Sequence, residues 1–580
     1  MSKPVIFIAA GMLALSLVAC GGGHAPVVTD QAVPGLQSGS GNVASAEPNV
    51  ARPAGTPCSV TLFQNVSFNN FDSHPFNYAA TCRGPWQRVV LEADFSVNAG
   101  RQFDRTGHIS LGGVNLWTGT TQEPSATVAP SWHVERDLTD YAPLFAQSGA
   151  GAVDLDNIVN ETYTGTLKAS ARLVFYAQDT ASAAPRTADM VIPLGARADG
   201  RPEALSDTTP VLSKTVILPR NVVRAFIDVL AQGQSDDEFW WSCAPDNLTD
   251  ALQTCGGSAF REALVSIDDQ PAGVAPVFPW IFTGGVNPRL WRPLPGVQTL
   301  NLRAQRVDLS PFSAILADGS PHKISVQVAN AKNWFNVSAN LLLLRDAGVS
   351  QVTGGLLQNN LAVAAAPKID NRLQLAAGLD PKGDLATTSR RSFAIKGFVT
   401  GSQGREELSV QQSMSFVNNQ HFDSSDSGVV NNFQQLTQMQ TISTSSNANG
   451  STSLSRDISF PFLFNINSAS TGTAFATEHA YTENQRYLHQ EIRVYTTRLS
   501  NTVSSDYVPA GTPAVLHASS RQRYIFEEDQ GGCIDRTVST DAALLVSAID
   551  SQRCVGQPPR GKPWGKIASS ALDDWFVLGN

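Results

Sequence analysis

At 580 residues the chain is longer than one hydrophobic core usually serves, so two or three domains are expected. Hydrophobic residues make up 42% and charged residues 16%, with 45 Gly and 33 Pro, which argues against disorder and against long helices and for a folded, all-β chain. A net charge of −9 without a long Lys/Arg run leaves no general attraction to phosphate backbones, so nucleic acid is not an expected partner.

The chain opens with Lys3, an apolar run over residues 5–19, and Leu17-Val18-Ala19-Cys20 followed by Gly21. This resembles a bacterial lipobox, with a signal peptide over residues 1–19 and Cys20 as the lipidated first residue of the mature protein. The expectation is an exported protein, anchored to a membrane through Cys20 and facing the periplasm or cell exterior. The competing reading is a plain secretory signal with an incidental cysteine. Residues 20–56, rich in Gly, Ala, Ser, Pro and Val, are expected to form a flexible tether.

From residue 57 onward, short β-type runs at 86–95, 172–176, 215–218, 222–230 and 323–328 are separated by Gly, Pro, Asp and Asn. That density fits jelly-roll or sandwich architecture. A break at Asp207-Thr208-Thr209-Pro210 divides it into a first jelly roll over 57–207 and a second over 208–365. Beyond that, alternating Ser, Thr, Asn and Gln predict a C-terminal antiparallel β region over 366–580.

Setting Cys20 aside leaves six cysteines, an even number in an exported chain. Sequence neighbours are the simplest pairs: Cys58 with Cys82, Cys243 with Cys255, and Cys533 with Cys554. Each would stabilise by about 2–4 kcal/mol. Cysteine spacings typical of zinc sites are absent, as is a zinc pattern around His108 and His133, so hydrogen-bonded structural roles are expected for both histidines and neither metal nor cofactor is expected. There is no G-x-S-x-G elbow to support a serine hydrolase.

Several ordered stretches carry a resemblance. They include Gly100-Arg101-Gln102-Phe103-Asp104-Arg105, Leu111-Gly112-Gly113, Trp132-His133-Val134-Glu135-Arg136-Asp137, Asp237-Glu238-Phe239-Trp240, Phe260-Arg261-Glu262, Phe282-Thr283-Gly284-Gly285-Val286-Asn287-Pro288 and Leu290-Trp291-Arg292-Pro293. Together with Asp308-Leu309-Ser310-Pro311-Phe312 and Asn340-Leu341-Leu342-Leu343, they resemble the peptide N-glycosidase A family, continuously from about residue 57 to 344 and more loosely beyond. The stretch from Cys243 to Cys255 departs from that pattern by its length. A more distant similarity is to peptide N-glycosidase F, whose two jelly rolls bring an Asp-Arg pair and a Glu-aromatic pair to their junction.

The resemblance implies an amidase that acts on N-glycosylated peptides and glycoproteins, as a monomer. It cleaves between Asn and the innermost GlcNAc, freeing a glycosylamine and leaving Asp. Such hydrolysis needs a base for water, a proton donor for the departing nitrogen and polar groups for the developing oxyanion. The expected catalytic pair is Asp104 and Glu238, one from each jelly roll, facing a shared cleft. Which is acid and which is base stays open; the preferred partition sets Asp104 at the first GlcNAc and the scissile amide, and Glu238 at the water.

Arg105, Trp240, Trp291, Arg292 and Glu161 are the candidate substrate-binding residues. An extended segment would turn Glu238 and Trp240 to one face, with a sugar ring on the indole. Strand alternation, however, puts Asp104 and Arg105 on opposite faces unless they lie at a strand end or bulge. Taken alone, an Asp-Arg pair reads as a surface ion pair, and the tryptophans as core. Two other functions fit the same scaffold: an endo-type glycosidase with two carboxylates, and a non-catalytic surface glycan-binding lipoprotein.

Overall fold

The computed structural model describes residues 30–178, 187–363, 365, 367–375, 381–425, 428–488, 492–508, 517–529 and 531–554. The expected signal peptide over 1–19 and the expected lipidation site Cys20 lie outside these residues. The chain enters through a two-residue strand, β1 (Gln31–Ala32), and then builds eight strands from alternating apolar and polar residues. These are β2 (Cys58–Phe68), β3 (His74–Tyr78), β4 (Trp86–Val97), β5 (Thr106–Leu111), β6 (Val114–Thr120), β7 (Ser131–Asp137), β8 (Gly149–Leu155) and β9 (Leu167–Ala177). They form two four-stranded sheets, ordered β2-β9-β4-β7 and β3-β8-β5-β6, which is jelly-roll topology. Between the sheets Phe95 stacks on Trp117 at 4.7 Å and on Trp132 at 5.5 Å, a contact worth more than its buried area alone.

The second set is β10 (Met190–Pro193), β11 (Glu203–Leu205), β12 (Val211–Ile217), β13 (Val222–Gln234), β14 (Glu262–Ile267), β15 (Gln270–Pro276), β16 (Gln305–Asp308), β17 (Pro321–Val328) and β18 (Trp334–Arg345). Its sheets run β10-β18-β13-β16, with β11 also on β18, and β12-β17-β14-β15. This is a second jelly roll. It recruits residues 190–205, which the break at 207 had assigned to the first, because both short strands pair with β18.

The remaining strands form one broad antiparallel meander. They are β19 (Thr353–Asn359), β20 (Lys368–Asn371), β21 (Lys382–Gly401), β22 (Gly404–Ser425), β23 (Gly428–Asn447), β24 (Gly450–Ala469), β25 (Gly472–Leu488), β26 (Ile492–Val508), β27 (His517–Glu528), β28 (Cys533–Asp541) and β29 (Leu544–Asp550). With β1 they make a 12-stranded sheet. One face is buried against the jelly rolls: along β22, Leu408, Val410, Met414, Phe416 and Phe422 alternate with more exposed neighbours. The polar members of that buried row are hydrogen-bonded, with Asn418 Nδ2 donating to the Trp241 carbonyl (2.9 Å) and Gln420 Nε2 to that of Cys243 (3.1 Å).

The two jelly rolls meet closely. A Cβ at Gly119 would lie 2.4 Å from the Leu300 carbonyl oxygen, and Thr120 N–H donates to Thr299 O at 2.8 Å. Arg306 bridges Asp140 of the first roll and Asp228 of the second at 2.7 Å each.

Residues 30–56 are not the expected free tether. Val33 and Gly39 N–H groups donate to Ala548 and Leu545, Ala44 donates to Pro293, Ala46 donates to the Gln522 side chain, and Arg52 pairs with Glu92 and Glu135. Backbone hydrogen bonds hold this strap, which is why its poor side-chain composition did not announce it. The three disulfides, Cys58–Cys82, Cys243–Cys255 and Cys533–Cys554, are those expected.

Candidate active site

Asp104 lies in the irregular segment just before β5, not within a strand. The segment is pinned on both sides: Gln102 Nε2 donates to the carbonyls of Ile158 and Gly165 (2.9 Å each), and Arg105 N–H to Thr121 Oγ1 (2.8 Å). Because this is a strand end, the alternation that would separate Asp104 from Arg105 does not apply. The Arg105 guanidinium folds back onto Gln102 Oε1 at 2.8 Å, half-buried beside Asp104.

Glu238 comes from the other jelly roll. β13 ends at Gln234, and the chain turns sharply through a 3-10 turn, Ser235–Asp237, with Ser235 at φ 51°, a conformation few side chains adopt. Asp237 is the hub of the turn: wholly buried, it pairs with Arg261 at 2.8 Å and accepts the N–H groups of Lys332, Asn333 and Trp334. Fixing Asp237 inward leaves Glu238, in αR conformation, facing the cleft. The expected extended segment is therefore a turn, and Glu238 and Trp240 do not share a pleated face.

Asp104 and Glu238 both line one open cleft of about 1340 Å³ where the two jelly rolls and the long sheet meet. They are close enough for the Asp104 charge to act on Glu238. Burial and that charge push Glu238 up to about 8. Asp104 is also raised by burial, but the Gly284 N–H and Arg105 oppose the rise by favouring its anion. The other walls come from the Cys243–Cys255 loop, through Leu252 and Cys255, and from Phe433 and Phe464 of the long sheet. The over-long stretch and the C-terminal region, whose contributions the sequence left open, thus both shape the cleft.

Several candidates sit elsewhere. Trp240 is 2% exposed and packs on Phe416, so no sugar ring reaches its indole face; it is core. Trp291 is fully buried and spends its indole N–H on the Gly285 carbonyl at 2.7 Å, holding the 284–286 loop from behind. Arg292 contacts Glu123 at 3.4 Å and the Pro124 carbonyl at 2.6 Å, and lines a neighbouring cavity instead of the cleft. Glu161 is exposed in the 160–163 turn that Asn160 caps, apart from the cleft lining.

His108 is buried against Thr118, burial lowering its pKa to about 3, and His133 is held between Glu135 and Asp94, whose bonds raise it to about 9; both are structural. Among the described residues no three His, Cys, Asp or Glu side chains gather as metal ligands would.

One residue was missed. Glu123, 5% exposed, accepts the Asp104 N–H on Oε1 at 3.3 Å. Its neighbours Gln122 and Pro124 give no periodic or motif signal that could have singled it out.

The family described as peptide N-acetyl-beta-D-glucosaminyl asparaginase amidase A matches residues 45–360. Peptide-N4-(N-acetyl-beta-glucosaminyl)asparagine amidase A of Prunus dulcis is 30% identical over 375 residues, covering 61% of this chain and 64% of the relative, slightly under two thirds of its length. Among solved structures, a peptide-N(4)-(N-acetyl-beta-D-glucosaminyl) asparagine amidase (13% identity, TM-score 0.35) covers 51% of this chain and 98% of that one. PNGF-II (12% identity, TM-score 0.35) covers 50% of this chain and 66% of its own.

Proposed function

The chain belongs to the peptide N-acetyl-beta-D-glucosaminyl asparaginase amidase A family, and from that premise we propose that it hydrolyses the amide between an asparagine side chain and the innermost GlcNAc of an N-linked glycan. The glycan leaves as a glycosylamine and the asparagine becomes aspartate. The observation that carries this reading is the meeting of Asp104 and Glu238, from separate jelly rolls, on one cleft where the Asp104 charge acts on Glu238.

Two coupled carboxyls that differ in their surroundings divide acid from base work. Burial raises both groups, but the Gly284 N–H and Arg105 pull Asp104 back towards its anion, while the Asp104 charge adds to burial and keeps the proton on Glu238 up to about 8. Asp104 accordingly accepts a proton from the attacking water, and Glu238 donates to the departing nitrogen. This reverses the partition preferred from the sequence. Closure of the cleft by three parts of one chain fits action as a monomer.

The same proposal carries the protein out of the cytoplasm, lipidated at Cys20 and tied to a membrane facing the periplasm or cell exterior. Three disulfides support an oxidising compartment. The test is to incubate the full chain with a denatured N-glycopeptide and weigh both products. An amidase raises the peptide by about one mass unit at the former glycosylation site. A residual GlcNAc on Asn would instead establish an endo-glycosidase, and binding without cleavage a surface lectin.

A further inference from the structure

Glu123 contacts Asp104 without lining the cleft that Asp104 lines. The two are joined through the main chain, Asp104 N–H to Glu123 Oε1 at 3.3 Å, and through space. A Cβ built on Gly284 would lie 2.2 Å from Asp104 Oδ1 and 2.8 Å from Glu123 Oε1, so these two oxygens stand within about 5 Å of each other. On its other side Glu123 meets Arg292 Nη2 at 3.4 Å and lines a second cavity of about 370 Å³, together with Arg289 and Ser125. Asp104 lines the cleft, Glu123 lines the second cavity, and one hydrogen bond connects them.

Resting on the amidase reading above, we propose that Glu123 is a positioning residue for Asp104. Its neutral carboxyl fixes the Asp104 main chain and keeps a second negative charge away from the reacting amide.

The charged groups around this unit are Asp104 and Arg105 on the adjoining segment, Arg292 and Arg289 from the 288–292 turn, and Glu238 across the cleft; Asp156 and Tyr163 act on Arg105 from its far side. Burial and the Asp104 charge push Glu123 up to about 8 against the pull of Arg292, so the neutral form persists below that pH. Ionised, Glu123 would set a negative charge beside Asp104 where an oxyanion develops, an unfavourable juxtaposition in a buried site.

The test compares the full chain with its Glu123→Gln and Glu123→Ala variants, each checked by thermal melting. The first readout needs no turnover: carboxyl infrared difference spectra across a pH titration. Glu123→Gln is expected to lose one carboxyl proton fewer than wild type near about 8, and Glu238 to account for another in both. The second is the alkaline limb of kcat/KM, expected to fall with two-proton steepness in wild type and one-proton steepness in Glu123→Gln. Glu123→Ala should lower kcat by roughly 10- to 100-fold with little change in KM. Below the alkaline limb, Glu123→Gln should recover most of that loss.

A wild type that cleaves while both variants match it in kcat and pH profile overturns this inference alone. So does a Glu123→Gln variant as impaired as Glu123→Ala with an unaltered profile, which would mark a purely structural residue. A wild type that releases no glycan overturns the amidase reading and this inference with it.

Discussion

Gly284 of the second jelly roll abuts the Asp104 carboxylate of the first: the point where a Cβ would stand is 2.2 Å from Oδ1 and 2.8 Å from Glu123 Oε1. Only a residue without a side chain fits there. Gly284→Ala is therefore expected to displace the Asp104 carboxylate and lower kcat/KM on the order of 100-fold. Because the change faces the cleft, the melting temperature should move little; steady-state kinetics and a thermal melt on the same sample check both halves.

Neighbouring acids in the Asp237-Glu238 pair do opposite work. Asp237 is sealed in with Arg261 and three backbone donors, so Asp237→Ala would strand a buried guanidinium and cost about 3–5 kcal/mol. Glu238→Ala should cost far less stability and far more activity. Urea unfolding of the two variants separates these effects.

Glu238 also makes a linkage statement. Its folded-state pKa of about 8 lies above its ordinary 4.5, so the folded chain binds this proton more tightly than the unfolded chain does. The stabilisation is complete below about 4.5 and is lost as pH climbs through about 8. Glu238→Gln should flatten that part of the curve and gain stability relative to wild type on the alkaline side, as read from the difference between their melting temperatures across pH.

The Cys243–Cys255 bridge closes a short loop that forms one wall of the cleft. Replacing both cysteines by Ser should reduce stability by about 2–3 kcal/mol by the loop-closure argument. KM should rise more than kcat falls, since the loop shapes the cleft and carries neither proposed catalytic group. Denaturant unfolding and steady-state kinetics measure the pair.

Sequence revealed much of this architecture because jelly-roll strands alternate and turns carry Gly, Pro and Asn. It revealed the disulfides because an even number of cysteines pairs most simply between sequence neighbours. That Asp104 and Glu238 would meet on one cleft was legible through family resemblance, not through spacing. Trp240 and Trp291 were misread because an aromatic residue's type does not say which way a turn faces it, and both point inward. Glu123 gave no local signal, since its importance comes from Gly284 and Arg292, more than 160 residues away in the chain. The long sheet's part in the cleft was equally hidden: alternation tells that Phe433 and Phe464 are buried, but not that the Cys243–Cys255 loop lies opposite them.

The most direct measurement of the central claim is single-turnover cleavage of one N-glycopeptide by wild type, Asp104→Asn and Glu238→Gln, with binding of the same peptide measured in parallel. Both variants are expected to bind within a few-fold of wild type, yet to cleave roughly 100- to 10,000-fold more slowly, the span expected for losing an acid or base. Cleavage at wild-type rates by either variant would contradict the assignment of these two carboxyls to the chemistry.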